Sequence, residues 1–349
     1  MKKLIAFFLA LGMSFGLCAC GGGKQQTINV CNWGEYISDG ADGGLRVVQE
    51  FEKRTGIKVN YTTFDTNESL YAKLSGGGAS YDVIIPSDYM IQRLIAEDGL
   101  ETLDYGKIPN AKYIMEEYRD LYYDPQGTHS VPYTIGMVGL IYNKTLVAEP
   151  PASWGALWDP RYQGQMLQFQ SPRDAFGTAQ YLLGLNVNST DEAEWRAAAE
   201  KLKEQAPLVQ SYVADEIYNI MEGANAALAP YYAGDYLMMH DNNSDLAFVY
   251  PEEGTNFFYD AMCIPKGARN LDAAHQFINF MLEPDIALAN AEVIMYASPH
   301  SAVRESPDYT LKDNPVLYPE TLPKVQCFEN LPQSILGLMN TLWTEIKQK

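Results

Sequence analysis

Three times between residues 27 and 96 a short apolar strand gives way to a helix, and nothing else in the chain limits its fold as strongly. Residues 27–32 alternate Ile28 and Val30 with polar neighbours, and residues 57–64 alternate again. Residues 81–85 (YDVII) form a continuous apolar run of the kind buried in a parallel sheet. Residues 44–55 carry Leu45, Val48 and Phe51 at helical spacing ahead of Gly56, whose lack of a Cβ suits it to cap the helix from the left-handed region. Residues 67–74 and 90–96 supply the other two helices. Such alternation predicts an open α/β unit, in which ligands lie outside the carboxyl ends of the strands. Trp33 and Tyr36 follow the first strand, and Ser87 and Tyr89 follow the third.

The extended apolar segment 131–142 reads as a crossover into a second lobe that repeats the alternation. Strands are expected at 165–168, 208–211, 226–231 and 246–250, and helices at 174–185, 191–205 and 215–222. Residues 257–264 then cross back, helices follow at 271–282 and 284–293, and 334–349 forms a last amphipathic helix. With 349 residues, 47% hydrophobic and 20% charged, the chain can bury two substantial cores.

A net charge of −19 argues against nucleic acid and anionic substrates and suits a cationic ligand. His129, His240, His275 and His300 are scattered without a nucleophile partner. There is no Gly-x-Ser-x-Gly, phosphate loop, Gly-x-Gly-x-x-Gly or run of metal ligands, so the chain reads as a binding protein, not an enzyme, without cofactor or metal. Cys31, Cys263 and Cys327, an odd number widely spaced, give no disulfide framework, and buried thiols are the expectation.

Lys2-Lys3 ahead of the apolar run 4–17 reads as a secretory signal, too short for a transmembrane helix. It ends in Leu17-Cys18-Ala19-Cys20, which resembles the bacterial lipobox. The expectation is a signal peptide at 1–19, a lipidated Cys20, and a flexible tether over 20–26.

Asn32-Trp33-Gly34-Glu35-Tyr36 brings two ring faces and a carboxylate to one loop. Aromatic faces attract a cation by about 0.5–2 kcal/mol each, and an acid neutralises it. The plainer alternative makes Trp33 and Tyr36 core aromatics and Glu35 a solvated acid or an orienter of its own loop. Tyr231-Tyr232 invites a ferric-iron reading, but adjacent residues on a strand point to opposite faces, which leaves only one of them for a cleft.

The order and spacing of several segments resemble the spermidine/putrescine-binding type of bacterial extracellular solute-binding protein, which serves ABC importers. They include Asn32–Tyr36, Tyr81-Asp82-Val83-Ile84-Ile85-Pro86-Ser87-Asp88-Tyr89, Asn67-Glu68, Pro172-Arg173-Asp174 and Phe257-Phe258-Tyr259-Asp260. The resemblance covers the mature chain. It implies the two-lobed, type II periplasmic-binding-protein-like α/β fold, each lobe an open sheet discontinuous in sequence. Residues 27–134 and 258–303 would form lobe 1, and 135–257 and 304–349 lobe 2. A monomeric receptor would close by a hinge over a ligand in the cleft and then meet permease subunits in the cell membrane.

Position by position, the resemblance implies an aromatic box of Trp33, Tyr36, Tyr232, Phe258 and Tyr296, with hydroxyls from Ser87 and Tyr89. Its acids fall on Asp174 and Asp260, with Glu35, Asp235 and Glu329 as further candidates; Asp235 could instead cap a helix over 234–240. The implied ligand is putrescine or spermidine, the alternative another cation such as thiamine, or ferric iron. Spermidine-type members carry an acid shortly before the arginine, where this chain has Gln170-Ser171-Pro172-Arg173. That departure favours putrescine, or a pose that uses Glu329.

Overall fold

The computed structural model describes residues 25–41, 43–77 and 80–348. The expected signal segment and Cys20 lie outside the described residues. Among the described residues no helix is long and apolar enough to cross a membrane.

The amino-terminal unit runs β1 (Thr27–Trp33), α1 (Val47–Thr55), β2 (Lys58–Phe64), α2 (Asn67–Ser75), β3 (Val83–Ile84) and α3 (Asp88–Ala96). β1 pairs in parallel with both β2 and β3, as alternation predicts. Gly56 ends α1 with φ 74°, its N–H donating to the Glu52 carbonyl at 2.8 Å. α1 starts three residues later than its periodicity suggests, because residues 39 and 46 first form a bridge and Val47 N–H donates to Ser38 O.

The chain continues through β4 (Ser130–Asn143), β5 (Met166–Phe169), α4 (Pro172–Leu183), α5 (Glu192–Gln205), β6 (Val209–Val213) and α6 (Glu216–Glu222). Then come β7 (Leu228–Tyr232), α7 (Ala233–Asn242), β8 (Leu246–Val249), β9 (Thr255–Cys263), α8 (Leu271–Met281) and α9 (Pro284–Ile294). The short α10 (Ser301–Arg304) and β10 (Val325–Gln326) precede α11 (Gln333–Lys347). The long strand β4 serves two sheets. From Ser130 to Met137 it lies antiparallel to β9, next to β3; from Val138 onward it pairs with β7 and β8. β5 joins β7 and β6 in parallel. Both crossovers anticipated at 131–142 and 257–264 are therefore long antiparallel strands, and the result is the two-lobed type II fold.

Burial on each sheet follows the strand pattern. Ile28 and Val30 face Phe51 of α1 and Phe277 of α8, whose rings meet edge-to-face at 5.1 Å. Each such buried side chain contributes about 1.5–3 kcal/mol. Buried Asp82 ties the returning chain to β1, accepting from the backbone N–H groups of Asn29, Arg269 and Asn270 at 2.8, 3.1 and 3.0 Å. Cys31 and Cys263 are buried free thiols, and Cys327 is a half-buried one.

Candidate functional site

Strands from both sheets end at one narrow cleft. It gathers Trp33, Tyr36, Ser87, Tyr89, Asp174, Tyr232, Asp235, Phe258, Asp260 and Tyr296. Gly34 also lines it, and the Trp33 ring packs on Phe64 at 4.3 Å. Local chemistry fixes the first loop. Asn32 donates its amide to Tyr36 O at 3.0 Å and accepts from Trp33 N–H at 2.9 Å, while the Tyr133 hydroxyl donates to Tyr36 O.

Rings form the walls. Tyr36 meets Tyr296 edge-on at 5.0 Å, and Phe258 meets Tyr232 at 5.5 Å and Tyr296 at 6.3 Å. Two glycines leave room for them. A Cβ on Gly136 of β4 would overlap the Phe258 ring, and one on Gly234 of α7 would overlap the Tyr296 ring. In an unencumbered helix Gly→Ala stabilises by roughly 0.5–1 kcal/mol. Gly234→Ala is instead expected to displace Tyr296, weakening ligand binding by about 1–3 kcal/mol, as read by titration calorimetry.

The carboxylates alternate with phenols. The Tyr36 hydroxyl donates to Asp260 Oδ2 at 2.7 Å and also meets Thr134 Oγ1 at 2.7 Å. The Tyr232 hydroxyl donates to Asp174 at 3.1 Å, and the Tyr89 hydroxyl to Glu68 at 3.0 Å. Tyr218 and Tyr296 both donate to Asp235. A phenol that spends its proton on a carboxylate keeps its oxygen as an acceptor. Both partners in each pair therefore present acceptors, which suits a ligand rich in N–H donors.

Burial drives the electrostatics. It raises the Asp260 and Asp235 carboxyls to about 6, against hydrogen bonds that lower them. Burial also raises Asp174, and it raises Asp88 to about 8. Among the described residues lining the cleft there is no lysine, arginine or histidine. The neighbouring Arg173 is committed elsewhere: it donates to Val187 O and Asn188 Oδ1, each at 2.7 Å, with its guanidinium 4.2 Å from the Phe328 ring centre. Asp260 is 2% exposed, and its Oδ1 is buried without a hydrogen-bond partner. Such an oxygen costs free energy until a donor reaches it.

Two sequence candidates fall outside the cleft. Glu35 adopts φ 48°, which turns its exposed side chain into a neighbouring groove with Ile37, Asp39 and Arg46. Glu329 is exposed, and the adjacent Phe328 ring lines the cleft in its place. Asp235 does not cap α7; its carboxylate accepts from the two tyrosines. Tyr231 and Tyr232, the last two residues of β7, both line the cleft, against the alternation argument.

Sequence reasoning passed over Asp88, Phe328 and Asn67. Asp88 accepts from the backbone N–H groups of Tyr89 and Tyr259 at 2.7 and 3.2 Å, coupling α3 to β9 one residue from Asp260. Asn67 clamps Ser87, accepting from its N–H at 3.2 Å and donating to its Oγ at 3.1 Å. Both lie in segments the resemblance quotes, but nothing local distinguishes them from solvated polar residues.

Known proteins frame this geometry. The family model described as "Bacterial extracellular solute-binding protein" matches residues 46–317. A spermidine/putrescine-binding periplasmic protein of Salmonella typhimurium is 32% identical over 354 residues, spanning 100% of this chain and 99% of the relative. A solved structure from Listeria monocytogenes, assigned there to a spermidine/putrescine ABC transporter, is 38% identical with a TM-score of 0.87, covering 92% of this chain and 99% of its own. The Streptococcus pneumoniae spermidine/putrescine ABC transporter substrate-binding protein PotD is 35% identical with a TM-score of 0.74, covering 93% and 99%. With its two-lobed fold and interlobe cleft, the chain belongs to the family of bacterial extracellular solute-binding proteins.

Proposed function

We propose that the chain is the solute-capturing component of an ABC importer and that its ligand is a polyamine, putrescine or spermidine. The observation that carries this reading is the set of Asp174, Asp235 and Asp260 carboxylates in an aromatic cleft lined, among the described residues, by no cationic side chain. Burying an ammonium without a counter-charge costs several kcal/mol, so a polyamine needs acids at its nitrogens. Its methylenes need apolar faces, which Trp33, Tyr36, Tyr232, Phe258 and Tyr296 supply.

The lobes are taken as 27–134 with 258–303, and 135–257 with 304–349. The open lobes admit the protonated amine, rings stack along its methylenes, and acids from both lobes close on its ends. Cys20 would carry the lipid that holds the receptor at the outer face of the membrane, and the closed lobes would be presented to the permease. The names of the relatives, in which spermidine and putrescine recur, support the ligand class.

The test is calorimetric titration with putrescine, spermidine, cadaverine, lysine, thiamine and ferric ion. A Kd of about 1 µM or tighter for one polyamine, near −8 kcal/mol, is expected. Tight thiamine binding or a coloured ferric complex, with no heat from any polyamine, would overturn the ligand assignment.

A further inference from the structure

We infer that Glu68 is a positioning residue for ligand recognition, holding the Tyr89 hydroxyl so that its oxygen faces the cleft as an acceptor for a ligand N–H. This inference rests on the polyamine reading of the cleft.

Glu68 is the second residue of α2, whose start is fixed by a reciprocal cap between Thr66 and Ser69. Its Oε1 accepts from the Tyr89 hydroxyl at 3.0 Å, and Tyr89 is 8% exposed at the cleft wall. Its Oε2 is buried with no hydrogen-bond partner. A phenol has one proton. With that proton on Glu68, Tyr89 can only accept from a ligand at its remaining lone pair. The neighbouring Asn67 acts on Ser87 in the opposite sense, donating its amide to Oγ and leaving the hydroxyl proton free, so one helix start orients both hydroxyls that follow β3.

Charge adds to geometry. Glu68 does not line the cleft, yet it interacts electrostatically with Asp174 of the other lobe. Arg173, which also acts on Glu68, makes its hydrogen bonds to Val187, Asn188 and Glu329 O. Burial raises the Glu68 carboxyl, and the Asp174 charge raises it further. A cation between Tyr89 and Asp174 favours the ionised form of both acids, so binding and Glu68 ionisation reinforce each other.

The experiment uses the full chain in mild detergent, titrated with spermidine and with putrescine at pH 7.5. Glu68→Gln, Glu68→Asp, Tyr89→Phe and the double variant Glu68→Gln/Tyr89→Phe are compared with the unaltered protein. Glu68→Gln and Tyr89→Phe are each expected to weaken binding at least about fivefold. The double variant should be little worse than the weaker-binding single variant, because Glu68 acts through Tyr89. Glu68→Asp keeps the charge but withdraws it by one methylene from the hydroxyl, and a similar loss is expected. A purely structural role would lower the unliganded melting temperature and leave the two losses additive. Undiminished loss from Glu68→Gln in the Tyr89→Phe background, or unaltered binding by Glu68→Asp, would overturn the inference. If the unaltered protein binds neither amine, the polyamine reading falls and takes this one with it; if it binds and the variants bind equally, only this inference falls.

Discussion

Replacing Asp260 by asparagine is expected to cost about 3–5 kcal/mol of polyamine binding, or roughly two to four powers of ten in Kd. The carboxylate is 2% exposed, with Tyr36 donating to Oδ2 at 2.7 Å and Oδ1 unpartnered. Asparagine keeps the size and an acceptor but removes the counter-charge, leaving a desolvated ammonium unpaired. The unliganded protein should respond in the opposite direction. There the buried charge is uncompensated, so its removal should leave the melting temperature unchanged or higher. Titration calorimetry and melts with and without amine check both signs. An unchanged Kd would mean that no ammonium sits on Asp260, and a fallen unliganded melting temperature would point to damage of the fold instead.

The second large effect is a pH dependence in which affinity and unliganded stability move oppositely. Asp260 and Asp235 titrate near 6 in the folded protein because burial raises them, against about 3.9 for an unfolded aspartate. Between those values the folded state binds more protons than the unfolded one. Unliganded stability from these groups is therefore fully present below about pH 4 and is lost as pH rises through 6. Asp88, raised to about 8 by burial, extends the same trend upward. A cationic ligand favours the ionised forms. Affinity should be full above about pH 7 and fall by roughly ten- to hundredfold by pH 5, with protons released on binding near pH 6. Calorimetry in buffers of different ionisation enthalpy counts those protons. A Kd independent of pH from 7.5 to 5 would show that the cleft acids are ionised throughout.

The close approaches in the cleft explain why its parts are interdependent. Asp260 is 224 residues from the Tyr36 that hydrogen-bonds it, and Asp235 is 61 residues from Tyr296. Each pair joins segments brought together by β4, which pairs with β9 along one half and with β7 and β8 along the other. A change at one wall thus reaches the acids through the phenols.

The strand–helix alternation, the Gly56 cap, the two crossovers and the loops at strand ends were all legible in the sequence. Hydrophobic period and turn chemistry are local and need no partner to be read. The inventory of rings and acids was legible for the same reason, and ten of the twelve candidates line the cleft. Which acid faces inward was not. A left-handed backbone at Glu35 turns its side chain away, and the chain near Glu329 presents Phe328. Asp88 and Glu68 look in sequence like ordinary surface acids, yet α3 places Asp88 against β9 beside Tyr259 and brings the Tyr89 hydroxyl to Glu68, and burial desolvates both acids. Side-chain direction at the end of a strand depends on one or two backbone angles, and burial depends on segments distant in the chain. Those two quantities, set only by the folded chain, decide where the negative charge of this cleft lies.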